Sequence, residues 1–232
     1  MVEVKGVHDF VSYVDKAAEK IIVERLQSIL PHAAFLTEEQ TVEQTDAPLK
    51  WIVDPLDGTT NFIHGLYPHS VSIALMQDNS MVVGVVYEIG QDECFYAWKD
   101  SDAYLNSKII RVSNAETLNA CLVGVGFPYH DFSKLDKYFN CVRYFAEHAQ
   151  AMRRTGSAAI DLSYVACGRL DAYFEYSLNP WDVAAGSFIL QRTGGRVSDF
   201  SGKDSYIFGQ EIVATNAKVF SNFIAVIKKN FG

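Results

Sequence analysis

Apolar residues recur at helical spacing over residues 16–30, where Ala17, Ala18, Ile21, Ile22, Leu26, Ile29 and Leu30 form one stripe and Pro31 closes the predicted helix. Residues 2–14 before it are short, mixed and turn-like, and Asp15 stands where a helix N-cap is expected. Residues 33–36 predict a short strand running into Thr37-Glu38-Glu39, the pattern of a solvated edge. Trp51-Ile52-Val53 predicts a buried strand that Pro55 ends, because proline cannot donate to a ladder. Residues 71–76 and 81–87 predict strands paired around Gln77-Asp78-Asn79-Ser80, with a third at 94–98, so this part of the chain is an antiparallel sheet. Further strands are expected at 109–112 and 120–125. The polar run Ser113-Asn114-Ala115-Glu116 between them marks a boundary between two packed lobes of a single domain, about 1–113 and 114–232.

In the second half, residues 134–149 predict a helix with Leu135, Tyr138, Phe139, Val142 and Phe145 inward. A short strand at 152–154 precedes a helix at 158–167 that Gly168 ends, and a strand at 172–174 delivers Glu175 at its end. Asn179-Pro180 opens another helix, which ends at Thr193 before Gly194. Asp182 falls in its first turn, where the helix dipole favours a carboxylate. A strand at 211–214 and a helix at 217–229 complete the chain, and no internal repeat appears. The pattern is mixed α/β.

With 232 residues, 49% hydrophobic and 21% charged, the chain can bury a substantial core. A net charge of −8 argues against a nucleic acid or an anionic membrane as the direct partner. No apolar run reaches the roughly 18 residues that span a bilayer, and the first residues do not read as a signal peptide, so a cytoplasmic location is expected. Cys94, Cys121, Cys141 and Cys167 are too dispersed for a zinc site or a disulfide framework, and are expected to be buried as small hydrophobes.

The chemistry concentrates at Asp54-Pro55-Leu56-Asp57-Gly58-Thr59-Thr60. The string can be an ordinary turn, with proline second and glycine closing it. It can also be a phosphate cradle, with backbone N–H groups offered after Gly58. Two acids beside a phosphate need cations between them, which implies metal-assisted phosphoryl transfer. Glu38, Asp54, Asp57 and Asp182 sit at the mouths of separate elements, and carboxylates of this kind suit Mg²⁺. No Gly-x-Ser-x-Gly or His-Glu-x-x-His is present. His64 and His69 read as structural, Arg153-Arg154 as a solvated or salt-bridged pair, and Gly124-Val125-Gly126 lacks the third glycine of a dinucleotide loop.

The run from Asp54 to Phe62 followed by Val71-Ser72-Ile73-Ala74 resembles the first motif of the inositol monophosphatase family. Trp181-Asp182-Val183-Ala184-Ala185-Gly186, with Gly194-Gly195 after it, resembles the second. The resemblance runs from Lys5 through the last helix and implies an α/β (α+β layered) fold, an alternating α-β-α-β-α sandwich of the sugar-phosphatase type. It implies a Mg²⁺-dependent, lithium-sensitive phosphatase with two or three ions: Glu38, Asp54 and the Leu56 carbonyl holding one, Asp54, Asp57 and Asp182 a second, and Glu38 sharing a looser third. Gly58 and Thr59 match the phosphate-binding turn, with Asp57 and Asp182 also facing substrate. Thr59 and Asp15 match positions that orient and deprotonate the attacking water, and Ala158 and Glu175 match contacts to a hydroxyl-bearing ring. Glu38 on this reading is a ligand, not a solvated edge.

The implied reaction is in-line attack of water on a small phosphomonoester, with inositol monophosphate as the substrate that Glu175 favours. Relatives act on fructose 1,6-bisphosphate, 3′-phosphoadenosine 5′-phosphate and histidinol phosphate, and some bacterial members regulate RNA-processing or transcription machinery. A homodimer is the family expectation. Against the family pattern, an N-terminal helix is expected to be missing, Thr37 replaces a glycine, and the proline of Leu66-Tyr67-Pro68 is shifted by one position, the last two without consequence.

Overall fold

Alternation along residues 49–57 puts Trp51 and Val53 on one face of a strand and Ile52 on the other, and all three are buried. A sheet with two apolar faces must be covered on both sides. The structure, a computed structural model describing residues 2–6 and 9–231, meets this requirement with five layers.

In chain order the elements are β1 (Val2–Gly6), β2 (Asp9–Ser12), α1 (Tyr13–Ile29), β3 (Ala34–Thr37), β4 (Leu49–Asp57), α2 (Thr59–Ile63), β5 (Ser70–Gln77), β6 (Ser80–Glu88), β7 (Glu93–Trp98), β8 (Ala103–Leu105) and β9 (Lys108–Ile109). They continue with β10 (Leu122–Val125), α3 (Leu135–His148), β11 (Ala151–Arg153), α4 (Ala158–Ala166), β12 (Ala172–Tyr176), α5 (Pro180–Arg192), β13 (Arg196–Ser198), β14 (Glu211–Thr215) and α6 (Phe220–Phe231). Strands β3 to β9 form a seven-stranded sheet in sequence order, antiparallel except for the β3–β4 pair. The second sheet has the order β11-β10-β12-β14-β13, with β10 parallel to β11 and β12 and the other pairs antiparallel.

Helix α1 covers the outer face of the larger sheet through Val23 and Leu26 against Phe35, Trp51, Val53 and Leu75. Helices α4 and α5 lie between the sheets, where Ala159, Leu162, Ala185 and Ile189 meet Ile52, Ala74 and Val86 on one side and Tyr173 and Ala214 on the other. Helices α3 and α6 close the far face, with Tyr138, Phe145, Phe223 and Ile227 against Val123, Phe174 and Val213. The layered α-β-α-β-α expectation matches this arrangement.

Several local expectations change. Residues 7 and 8 of the stretch read as turn-like lie outside the described residues, while β1 and β2 on either side pair as a hairpin. Helix α1 starts at Tyr13, so Asp15 lies in its first turn and is not the N-cap. Its buried face is Asp15, Glu19, Val23 and Leu26, whereas Ile21 and Ile29 of the predicted stripe are exposed. Phe139, expected inward, is exposed and stacks on Phe127. Strand 109–112 shrinks to β9, and the 120–125 strand starts at Leu122 after a 3₁₀ turn at Leu118–Ala120. The final helix begins at Phe220, and β8 and β13 arise where no strand was expected. Cys121 and Cys141 are buried as expected, with burial pushing both thiols up to about 12, whereas Cys94 and Cys167 are half-buried. No helix among the described residues is long and apolar enough to cross a membrane.

Candidate functional site

Pro55 does not end its strand. β4 continues to Asp57, and the register passes from Asp54 opposite Ser72 to Asp57 opposite Ser70, so one extra residue is accommodated in a bulge at Pro55-Leu56. A bulge is where a ladder tolerates a residue without an N–H. The Leu56 N–H turns back to donate to Asp54 Oδ1 at 2.9 Å. Gly58 then takes φ +89°, and a Cβ there would lie 3.2 Å from the Pro68 carbonyl oxygen and 3.3 Å from that of Gly156. The chain can enter α2 only through a residue that permits both. Thr59 Oγ1 lies 2.9 Å from Asp15 Oδ1 and 2.9 Å from the Leu56 carbonyl oxygen. Asn61 Nδ2 donates to the Pro68 and Thr155 carbonyls at 2.7 and 2.9 Å, tying this turn to the segment before α4.

The helices between the sheets bring the remaining groups. Ser157 caps α4 and donates to Asp57 Oδ2 at 2.6 Å, beside the Ala159 N–H at 2.8 Å. Asp57 is thus fixed at a helix N-terminus, where its charge is favoured. At the start of α5 the Asn179 N–H donates to Asp182 Oδ2 at 2.6 Å. Asp54, Asp57 and Asp182 each present a carboxylate oxygen, all within 4.8 Å of one another. Glu38, on the loop after β3, shares a hydrogen bond with the Asp54 carboxyl.

Burial holds Asp54 well above the usual carboxylate range, and the charges of Glu38, Asp57 and Asp182 push it further. Asp182 is raised well above that range by burial and then by Asp57 and Glu38. Asp57 is raised by burial against the pull of its Ser157 and backbone hydrogen bonds. Such a cluster ionises fully when a cation enters it, so hard oxygen donors at this spacing fit a divalent ion such as Mg²⁺.

A second set of polar groups forms another wall of the same cleft. Glu175 lies inside β12, one residue before its end, and burial raises it to about 7 despite the hydroxyl that Tyr173 donates to its Oε2. A Cβ on Gly126 would lie 1.8 Å from that oxygen, so the bare backbone makes room for the carboxyl. Asp161, in the first turn of α4, accepts from Thr155 Oγ1 at 2.7 Å through Oδ2, and its buried Oδ1 has no hydrogen-bond partner among the described residues. Burial holds Asp161 well above the usual range too. The Arg154 guanidinium donates to Tyr129 Oη at 2.7 Å across the same cleft.

Glu38, Asp54, Leu56, Asp57 and Asp182 line this one cleft, and so do Gly58, Thr59, Ala158 and Glu175. Asp15, buried, stands behind Thr59. Sequence reasoning missed Ser157, Asp161 and Tyr129; it read Arg153-Arg154 as a solvated or salt-bridged pair, and Arg154, though exposed, also lines the cleft. The glycines of Gly124-Val125-Gly126 were the available signal, since a Cβ on Gly124 would sit 3.1 Å from Asp161 Oδ1. His69, read as structural, places its Nδ1 3.1 Å from the Leu66 carbonyl oxygen and stacks on Tyr67.

Comparison with known proteins places this cleft among relatives. A sequence model of the inositol monophosphatase family matches residues 2–230. The Escherichia coli (strain K12) Nus factor SuhB is 42% identical over 222 residues, covering 95% of this chain and 83% of that protein. The crystal structure of the extragenic suppressor protein suhB from Bartonella henselae superposes with a TM-score of 0.93 at 38% identity, covering 99% of this chain and 88% of that one. An IMPase from Thermotoga maritima gives 0.90 at 31% identity, covering 100% and 88%.

Proposed function

The chain belongs to the inositol monophosphatase family, and from that premise we propose that it is a cytoplasmic, Mg²⁺-dependent phosphatase that hydrolyses inositol monophosphate to inositol and phosphate. The observation that carries this reading is the convergence of Asp54, Asp57 and Asp182 within 4.8 Å beside the Gly58 turn. Glu38, Asp54 and the Leu56 carbonyl would hold one ion and Asp54, Asp57 and Asp182 a second, with Glu38 shared by a looser third. Mg²⁺ bound there supplies a Lewis acid that makes water more acidic and offsets charge on the departing alkoxide.

The rest of the work falls to the chain's own groups. The Gly58 and Thr59 backbone binds phosphate oxygens. Asp15 accepts a hydrogen bond from the Thr59 hydroxyl, which leaves a lone pair on Thr59 Oγ1 to hold a water in line with the breaking P–O bond. Ala158 and Glu175 face the substrate's hydroxyls. Two carboxyls, Asp161 and Glu175, flank the single guanidinium of Arg154 on the wall that would meet the leaving group. Burial shifts both carboxyls toward their neutral forms, so this wall meets a polyol with hydrogen-bonding groups and does not by charge exclude fructose 1,6-bisphosphate, 3′-phosphoadenosine 5′-phosphate or histidinol phosphate.

The test is phosphate release from myo-inositol 1-phosphate and from these three alternatives, with and without Mg²⁺ and Li⁺. Turnover on the inositol ester should need Mg²⁺, fall with Li⁺ and drop at least about a thousandfold in Asp54→Asn, the scale on which lost charge stabilisation in a reacting site is felt. No Mg²⁺-dependent turnover on any of the four would overturn the reading. A second reading, a regulatory role in transcription, is favoured by the similarity to Nus factor SuhB and would bring a macromolecular partner, nucleic acid included. Asp54→Asn tests it in cells: a phenotype that survives the substitution supports binding over catalysis.

A further inference from the structure

Glu19 is an acid in the middle of α1 with 0% of its surface exposed, and no step above uses it. Its Oε1 accepts from Thr37 Oγ1 at 3.0 Å and from the Thr41 N–H and Oγ1 at 2.7 Å each, and its Oε2 accepts from the Glu39 N–H at 2.7 Å. Four donors offset the burial of one carboxylate. All of them come from residues 37, 39 and 41, which bracket Glu38 on both sides.

The loop is wound around this side chain. Gln40 takes φ +52° between two of the donors, and Gln44 closes the loop by accepting from the Thr37 N–H at 2.9 Å. Glu38 itself is joined to the sheet by its N–H to the Val53 carbonyl, at 3.2 Å, next to Asp54. Asp15, one helical turn before Glu19 on the same buried face, holds Thr59. One helix face therefore supports both sides of the aspartate cluster.

We propose that Glu19 is a positioning residue whose carboxylate holds the 37–41 loop so that Glu38 reaches the cation it shares with Asp54; this rests on the Mg²⁺-phosphatase reading. The hydrogen bonds require a carboxylate. In Glu19→Gln one end of the side chain becomes a donor, and in either orientation it faces an N–H or hydroxyl donor of the loop.

The experiment is calorimetric titration of the substrate-free protein with Mg²⁺, paired with phosphate release over a range of Mg²⁺ concentrations. Glu19→Gln should weaken Mg²⁺ binding by about 10- to 100-fold, as loss of a group supporting a metal ligand does, and raising Mg²⁺ should recover turnover. Thr41→Val, which keeps the carboxylate and removes one hydroxyl, should weaken binding by a smaller factor in the same direction. Unchanged Mg²⁺ affinity in folded Glu19→Gln, even with a lowered melting temperature, overturns the proposal. If that variant does not fold, unchanged affinity in Thr41→Val overturns it. A wild-type protein that neither binds Mg²⁺ nor releases phosphate overturns the parent reading, and this one with it.

Discussion

Asp161 and Glu175 are carboxyls of a kind that water normally keeps, yet both are buried against the glycines of Gly124-Val125-Gly126. A methyl group at Gly126 must displace the Glu175 carboxyl. Gly126→Ala should therefore raise the KM for inositol phosphate by about tenfold, the cost of one hydrogen bond of roughly 1.4 kcal/mol, while the Mg²⁺ affinity stays near the wild-type value. Steady-state kinetics with calorimetry checks both; a loss shared equally by the two would place Gly126 in the fold and not in the wall. At this scale the aspartates and the Gly58 turn were legible, because they are close in sequence or lie in recognisable runs. Arg154 was not. Both arginines are exposed, but Arg153, the last residue of β11, donates to the Met152 carbonyl, whereas Arg154, just beyond the strand, reaches Tyr129 at the cleft. Glu19 was hidden for another reason: it occupies a buried position of α1, where a periodicity search counts only apolar residues, and Asp15 beside it was reached through the family resemblance and not through the pattern.

Two glycines test how an element is joined to the site. Gly58, between β4 and α2, and Gly194, after α5, share φ +89°, but a Cβ on Gly194 would meet nothing within 4 Å, whereas one on Gly58 would meet two carbonyl oxygens. Gly194→Ala should cost about 1–2 kcal/mol from the left-handed backbone alone, and Gly58→Ala more, read as urea-unfolding midpoints at equal slope. Equal costs would mean that the Pro68 and Gly156 backbone yields freely. The elements that were legible are those whose pattern is long or whose caps are explicit: β5 and β6 by alternation, and α5 by Asn179, Pro180 and Gly194. Three-residue strands such as β8 and β13 carry too little pattern to find, since they exist by pairing with β7 and β14. The bulge at Pro55 shows tertiary pairing overriding a local stop signal, and it sets Asp54 and Asp57 at the end of β4.

Over the whole molecule the layer of α4 and α5 is shared by both sheets. We propose that the two lobes, about 1–113 and 114–232, melt together in one calorimetric transition, and that the family's homodimer expectation is open to test by sedimentation. The aspartate site spans the same junction, with Asp54 and Asp57 from the larger sheet and Asp182 from α5, so proton and metal binding both report on global stability. For Glu175 the folded-state value is raised from 4.5 to about 7. Between those limits the folded protein holds the proton and the unfolded chain has lost it, so stability is full below about pH 4.5 and falls as pH rises toward about 7, by an amount on the order of 3 kcal/mol. Asp54, Asp161 and Asp182 are shifted in the same direction by burial and mutual charge, and steepen the fall. The Mg²⁺-free protein should thus melt at a lower temperature at pH 7 than at pH 5. Glu175→Gln should flatten part of that slope with or without metal, whereas Mg²⁺ should remove the part that belongs to Asp54 and Asp182, raising the melting temperature more at pH 7 than at pH 5, where protons compete for the same oxygens. A metal-free melting temperature that climbs from pH 5 to 7 would contradict the buried-acid account. A Mg²⁺ effect of equal size at both pH values would separate the ion from the carboxyls assigned to hold it.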